Sequence, residues 1–121
     1  MKKLLLIALI AGAFYQGWHQ RDVVKMSSGG MSAEALHTLA ASVKPGEVLM
    51  YSTTECTYCA QARLWMSQNG FAFSECNMSE RDICVREFQA LGADGTPYLI
   101  VRGHHMKNGF DSEEFLELLQ T

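Results

Sequence analysis

Two cysteines separated by two residues, in Cys56-Thr57-Tyr58-Cys59, stand between an apolar run, Val48-Leu49-Met50-Tyr51, and a helical pattern. That placement commits the middle of the chain to a strand followed directly by a helix, with the thiols at the junction. Thiols so spaced close a small, easily opened disulfide ring. The free N–H groups and macrodipole at the start of the helix favour a thiolate on the first cysteine, taking its pKa below the free value of about 8.5. A dithiol redox catalyst needs this arrangement.

The rest of the chain alternates in the same way. Residues 47–52 read as a buried strand and residues 57–69 as a helix ended by Asn69-Gly70. Residues 71–75 alternate as a strand does, with Phe71 and Phe73 on one side. A helix runs from Ser79 or Glu80 to Leu91, with Gly92 as its C-cap. Residues 98–101 form a second β-branched apolar run, which Gly103 turns into a partner strand at 104–107. Asn108-Gly109 is a turn, and Asp111 or Ser112 caps a last helix carrying Phe115, Leu118 and Leu119. The order β-α-β-α-β-β-α predicts an α/β fold with one mixed four-stranded sheet flanked by helices. Its β-α-β unit is parallel and its hairpin antiparallel. An extra helix stands in front, within residues 32–46. It is capped by Ser32, places Leu36, Leu39, Ala40 and Val43 on one face, and ends at Pro45-Gly46.

The 121 residues suffice for one small domain. With a net charge of −3 and scattered Lys and Arg, the chain has no basic stripe, which argues against nucleic acid as a partner. Residues 1–18 read as a signal peptide or membrane anchor. Lys2-Lys3 precede an apolar stretch that ends at the small triplet Ala11-Gly12-Ala13. The stretch is shorter than the roughly 20 apolar residues of a spanning helix. Cleavage and retention as an anchor both remain open, and the expected location is the periplasm or the outer face of the inner membrane. Membrane contact is expected only through this segment. Residues 19–31, with Ser27-Ser28-Gly29-Gly30, read as a linker.

Within residues 47–121, three motifs follow in order: Cys56-Thr57-Tyr58-Cys59, Gly95-Thr96-Pro97 and Asn108-Gly109-Phe110-Asp111. Together with the strand ending in Tyr51-Ser52, they resemble a glutaredoxin. The resemblance implies a thioredoxin-like fold, thiol–disulfide exchange and a cis Thr96–Pro97 bond. It implies that Cys56 attacks and Cys59 resolves. It further implies that Thr96, beside Pro97, offers its backbone to an extended substrate, and that Tyr58 supplies an aromatic ring. Phe110 and Asp111 match the place where glutaredoxins hold the γ-glutamyl end of glutathione. Expected partners are protein disulfides or glutathione mixed disulfides and an electron donor of unknown identity. Glutathione is a candidate co-substrate, and no bound cofactor is expected. The chain departs from the family at Thr57, where a proline is usual, and at Thr53, where many members carry a lysine. Glu55 adds a charge of the wrong sign for a thiolate or for glutathione.

The remaining candidates have plainer readings beside the functional ones. Zinc ribbons close with a second two-residue spacing, which this chain lacks, so no metal site is expected. Cys76 and Cys84 suit a structural disulfide in an oxidising compartment, with buried thiols or a relay as alternatives. His104 and His105 are adjacent on a strand and face opposite ways, which ill suits a shared ion. Arg63 either raises the potential near the thiols or lies on a solvated helix face. The rival to a catalyst is a binding or assembly module whose Cys56–Cys59 bridge is purely structural.

Overall fold

A computed structural model describes residues 27–28 and 31–121 of the chain. The chain divides into two units, Met1–Glu34 and Ala35–Thr121. The expected signal or anchor lies outside the described residues. In the first unit Ser27–Ser28 (β1) pairs antiparallel with Met31–Ser32 (β2), so part of the stretch read as a linker carries a short ladder.

The second unit holds most of α1 (Ala33–Ser42), then β3 (Val48–Ser52), α2 (Thr57–Gln68), β4 (Ser74–Asn77) and α3 (Asp82–Ala90). β5 (Tyr98–Val101), β6 (His104–Met106) and α4 (Ser112–Leu119) complete it. The four strands form one mixed sheet in the order β4-β3-β5-β6. β3 and β4 run parallel, while β5 is antiparallel to both β3 and β6.

The two-residue period of the strands sorts their side chains onto two faces. Val48 and Met50 of β3 join Leu99 and Val101 of β5 and Met106 of β6 in the larger core. Onto it pack Cys59, Ala62 and Met66 of α2, Phe115, Leu116 and Leu119 of α4, and Ala40 of α1 with Val43 just beyond it. The intervening residues Tyr51 and Tyr98 face the other way, where they meet Cys76 of β4 and Cys84 and Phe88 of α3. A Cys76–Cys84 disulfide, with Cα atoms 5.4 Å apart, ties α3 to β4 under this smaller core.

Element boundaries depart from the sequence pattern where a residue's hydrogen bonds are claimed elsewhere. The second strand begins at Ser74 rather than Phe71, because the Phe71 N–H donates to Met66 O at the end of α2 (2.9 Å). The Phe71 ring stacks on Trp65 at 5.5 Å. The third helix begins at Asp82, not Ser79 or Glu80. Asn77 draws in the preceding turn: its Oδ1 accepts from Ser79 N and its carbonyl from the N–H groups of Glu80 and Arg81.

The β5–β6 turn places Arg102 (φ 48) and Gly103 (φ 83) in the left-handed region, as a two-residue hairpin loop with matching twist requires. Arg102 lacks the conformational freedom of glycine, and its side chain is held by several partners. It donates to Glu47 Oε2 at 2.5 Å, Leu119 O at 2.7 Å and Ser42 O at 3.2 Å. The guanidinium thereby joins the ends of α1 and α4 to the start of β3.

Candidate active site

Cys56 is the N-cap residue of α2, with extended backbone (φ −77, ψ 107). Its carbonyl receives the Ala60 N–H at 3.1 Å, opening the helix, and its Sγ receives the Cys59 N–H at 3.1 Å. Cys56 and Cys59 form a disulfide with Cα atoms 5.2 Å apart. The two sulfurs differ in access: Cys59 is fully buried in the larger core, whereas Cys56 is half-exposed.

The loop that delivers Cys56 is moored to the β4–α3 connection. Ser52 O accepts from Met78 N at 2.8 Å, and Thr54 N donates to Ser79 Oγ at 3.1 Å. Asn77 Nδ2 donates to Thr54 Oγ1 at 3.2 Å. The sequence marked Ser79 only as a candidate helix start and Asn77 not at all, since no local pattern reveals a contact between residues so far apart along the chain.

Beside the disulfide opens a cavity of about 420 Å³ lined by Tyr58, Gly95, Thr96, Pro97, Lys107, Asn108, Gly109 and Phe110. It brings together Tyr58, Thr96, Pro97 and Phe110 from three separate motifs. The Thr96–Pro97 peptide is cis. Tyr58 is 70% exposed and stands at the mouth. The Phe110 ring leans on Trp65 and Phe115, each with centroids 5.5 Å away, so one wall of the cavity rests on the core. Asp111 is not part of the lining. Its Oδ1 caps α4 by accepting from Glu114 N at 2.9 Å. Lys107, which the sequence presents only as the last residue of a strand, enters the cavity wall because the β6–α4 connection carries it there.

Other charged groups near the motifs are engaged elsewhere. Arg63 forms a forked ion pair with Glu75 of β4, its Nε and Nη2 each 2.7 Å from a carboxylate oxygen, so its charge is matched there. His105 Nδ1 lies 2.6 Å from the Tyr98 hydroxyl and His104 Nε2 lies 3.0 Å from Thr121 Oγ1, so the two histidines serve different partners. Among the described residues, no three His, Cys, Asp or Glu side chains converge as metal ligands would, and no helix is long and apolar enough to cross a membrane.

A mixed sheet between helices, with a Cys-x-x-Cys disulfide at a helix N-terminus facing a cis-proline loop, defines a thioredoxin-like fold. The solved structures agree on the fold. The thioredoxin-like protein BC3987 is similar with a TM-score of 0.53 at 18% identity, over 59% of this chain and 97% of its own. A glutaredoxin from Archaeoglobus fulgidus matches with a TM-score of 0.53 at 20% identity, over 62% of this chain and 87% of that one. A buckwheat glutaredoxin, solved as a glutathione complex, gives 0.50 at 18% identity, over 73% and 86%. More particularly, residues 48–106 match the glutaredoxin family model. No protein of curated function matches the chain in sequence.

Proposed function

We propose that this chain is a glutaredoxin-like thiol–disulfide oxidoreductase that works outside the cytoplasm on protein disulfides or glutathione mixed disulfides. The observation that carries the reading is the unequal pair of sulfurs beside an open cavity. Cys56 is half-exposed at the N-terminus of α2 while Cys59 is buried behind it. The glutaredoxin match over residues 48–106 supports the same chemistry.

In the dithiol form the Cys56 thiolate attacks one sulfur of a substrate disulfide. A new S–S bond forms to Cys56, the substrate S–S bond breaks, and the departing thiolate takes up a proton. Cys59, losing its own proton, then attacks Cys56 Sγ and expels the second substrate thiol. The substrate gains two electrons and the Cys56–Cys59 disulfide holds the deficit until a thiol reductant, such as two molecules of glutathione, restores the dithiol. Thr96, Pro97, Tyr58 and Phe110 would seat the substrate half that remains on Cys56, and Asp111 would accept from a substrate ammonium with its remaining carboxylate oxygen. The export proposal rests on Lys2-Lys3, the apolar stretch and Ala11-Gly12-Ala13.

The test is the reduction potential of the Cys56–Cys59 pair in glutathione redox buffers, read by thiol alkylation. A value of about −200 to −230 mV would place the pair among glutaredoxins, and about −120 mV would make it a disulfide donor instead. A bridge still closed at about −300 mV would be structural and would overturn the proposal.

A further inference from the structure

We infer that Lys107 makes the cavity selective for disulfides whose small thiol half carries a carboxylate. The inference rests on the exchange reaction proposed above and concerns which substrates that reaction accepts.

Of the residues lining the cavity, Lys107 alone carries a charge. The walls are otherwise the rings of Tyr58, Pro97 and Phe110, the amide of Asn108, and the Gly95-Thr96 and Gly109 segments. An extended substrate half seated on Thr96 and Phe110 therefore meets one charged group in the lining itself, and it is cationic, while Asp111 stands outside the lining. Both ends of the segment that bears it are fixed. Met106 is fully buried in the larger core, and Phe110 is wedged against Trp65 and Phe115. Gly109, at φ 90, makes the bend between them.

The charge is also uncommitted. Arg63 and Arg102 are each taken up by a carboxylate, Glu75 and Glu47, whereas no hydrogen bond or ion pair engages Lys107 among the described residues. Along the chain, carboxylates flank the cysteine motif and the lining segments. Glu55 precedes Cys56, Asp94 precedes Gly95, Asp111 follows Phe110, and the chain as a whole carries −3. Without Lys107 the site would favour neutral or cationic disulfides. With it, an anionic substrate end has a partner at one defined wall.

The experiment compares the full chain with its Lys107→Gln, Lys107→Glu and Lys107→Arg variants on three disulfides, with dithiothreitol as the common reductant. These are a glutathione mixed disulfide (anionic), bis(2-hydroxyethyl) disulfide (neutral) and cystamine (cationic). The expected result is a fall of about tenfold in the anionic-to-neutral ratio of kcat/KM for Lys107→Gln, the size of one partly screened ion pair. The change should sit mainly in KM. Lys107→Glu should lower the ratio further and raise the cationic-to-neutral ratio, while Lys107→Arg keeps the parent preference. Added salt should erode the anionic preference of the parent chain and leave the Lys107→Gln ratio flat. Ratios that stay the same in all four proteins would overturn the inference and leave the exchange reaction standing. A parent chain inert toward all three disulfides would overturn the exchange reaction and the inference together.

Discussion

The backbone N–H of Cys59 points at Cys56 Sγ from 3.1 Å, so the helix that buries one sulfur also donates to the other. The same turn that hides Cys59 in the core gives Cys56 a hydrogen-bond donor suited to a thiolate. Division of labour between the cysteines thus follows from the N-cap position, because the cap side chain is placed to receive an orphan N–H group of the first turn.

Replacement of Cys56 by Ser should abolish exchange, since a serine hydroxyl is no nucleophile toward disulfides near neutral pH. Cys59→Ser should instead accumulate a mixed disulfide on Cys56, because the resolving sulfur is gone. Intact-protein mass spectrometry after incubation with a glutathione disulfide distinguishes the two. Full activity in Cys56→Ser would exclude the mechanism.

The two disulfides should respond differently to mild reductant. Cys56 is half-exposed, whereas Cys84 is fully buried and Cys76 nearly so. Dithiothreitol titration with mapping of alkylated peptides should find Cys56 and Cys59 modified first. Loss of the Cys76–Cys84 bridge in a double Ala variant should cost about 2–3 kcal/mol in urea unfolding, the chain-entropy value for a loop of this length.

Phe110 and Phe115 belong to one aromatic cluster with Trp65 and Phe71 but should divide on mutation. Phe115 is fully buried, and Phe115→Ala should cost about 3–5 kcal/mol of stability. Phe110 is only half-buried and faces the cavity, so Phe110→Ala should cost less stability and raise KM several-fold. Thermal unfolding and steady-state kinetics on the pair test the distinction.

The hydrogen bond from Arg102, helped by the Lys44 N–H, holds the Glu47 carboxyl below its ordinary value of 4.5. The folded chain therefore gives up this proton more readily than the unfolded one. The stabilisation is complete above pH 4.5 and fades as the pH falls through the lower folded value. Unfolding curves of the parent and Glu47→Gln should differ at neutral pH and converge in acid. A constant gap would contradict the linkage.

Burial, together with the hydrogen bond to Glu87 Oε2 (3.0 Å), pushes the Tyr51 hydroxyl up to about 12. Its contribution to stability is present below pH 10 and is lost between 10 and about 12, where the unfolded chain ionises first. Tyr51→Phe should flatten that alkaline decline. At neutral pH it should cost only about 0.5–1.5 kcal/mol, because exposed Glu87 regains water.

The order of elements in the second unit was legible because periods of 2 and 3.6 are written in neighbouring residues. Val48 and Met50 against Leu49 and Tyr51 already imply a strand buried on both sides. Boundaries were less legible. Phe71 alternates like a strand residue, yet its N–H closes α2. Ser79 reads as the start of a helix, yet its hydroxyl accepts from Thr54. Each residue has one N–H to spend, and a partner distant in sequence can claim it. Arg63 shows the same limit: its place one turn after Cys59 is plain, but Glu75 on the neighbouring strand decides where its charge goes.

By itself the sequence determined the chemistry on offer: a Cys-x-x-Cys pair at a strand-to-helix junction, a Thr-Pro loop and an Asn-Gly-Phe turn, all readable from spacing alone. Tertiary structure decided what those parts enclose. Closing the sheet in the order β4-β3-β5-β6 draws the Thr96–Pro97 loop and the 107–110 segment to one side of the disulfide. The closure turns Lys107 from a strand-end residue into the charged wall of a cavity and gives Asp111 a helix to cap. The physical reason is that local periodicity records which face a residue shows, whereas a cavity arises between segments whose separation along the chain leaves no trace in either one.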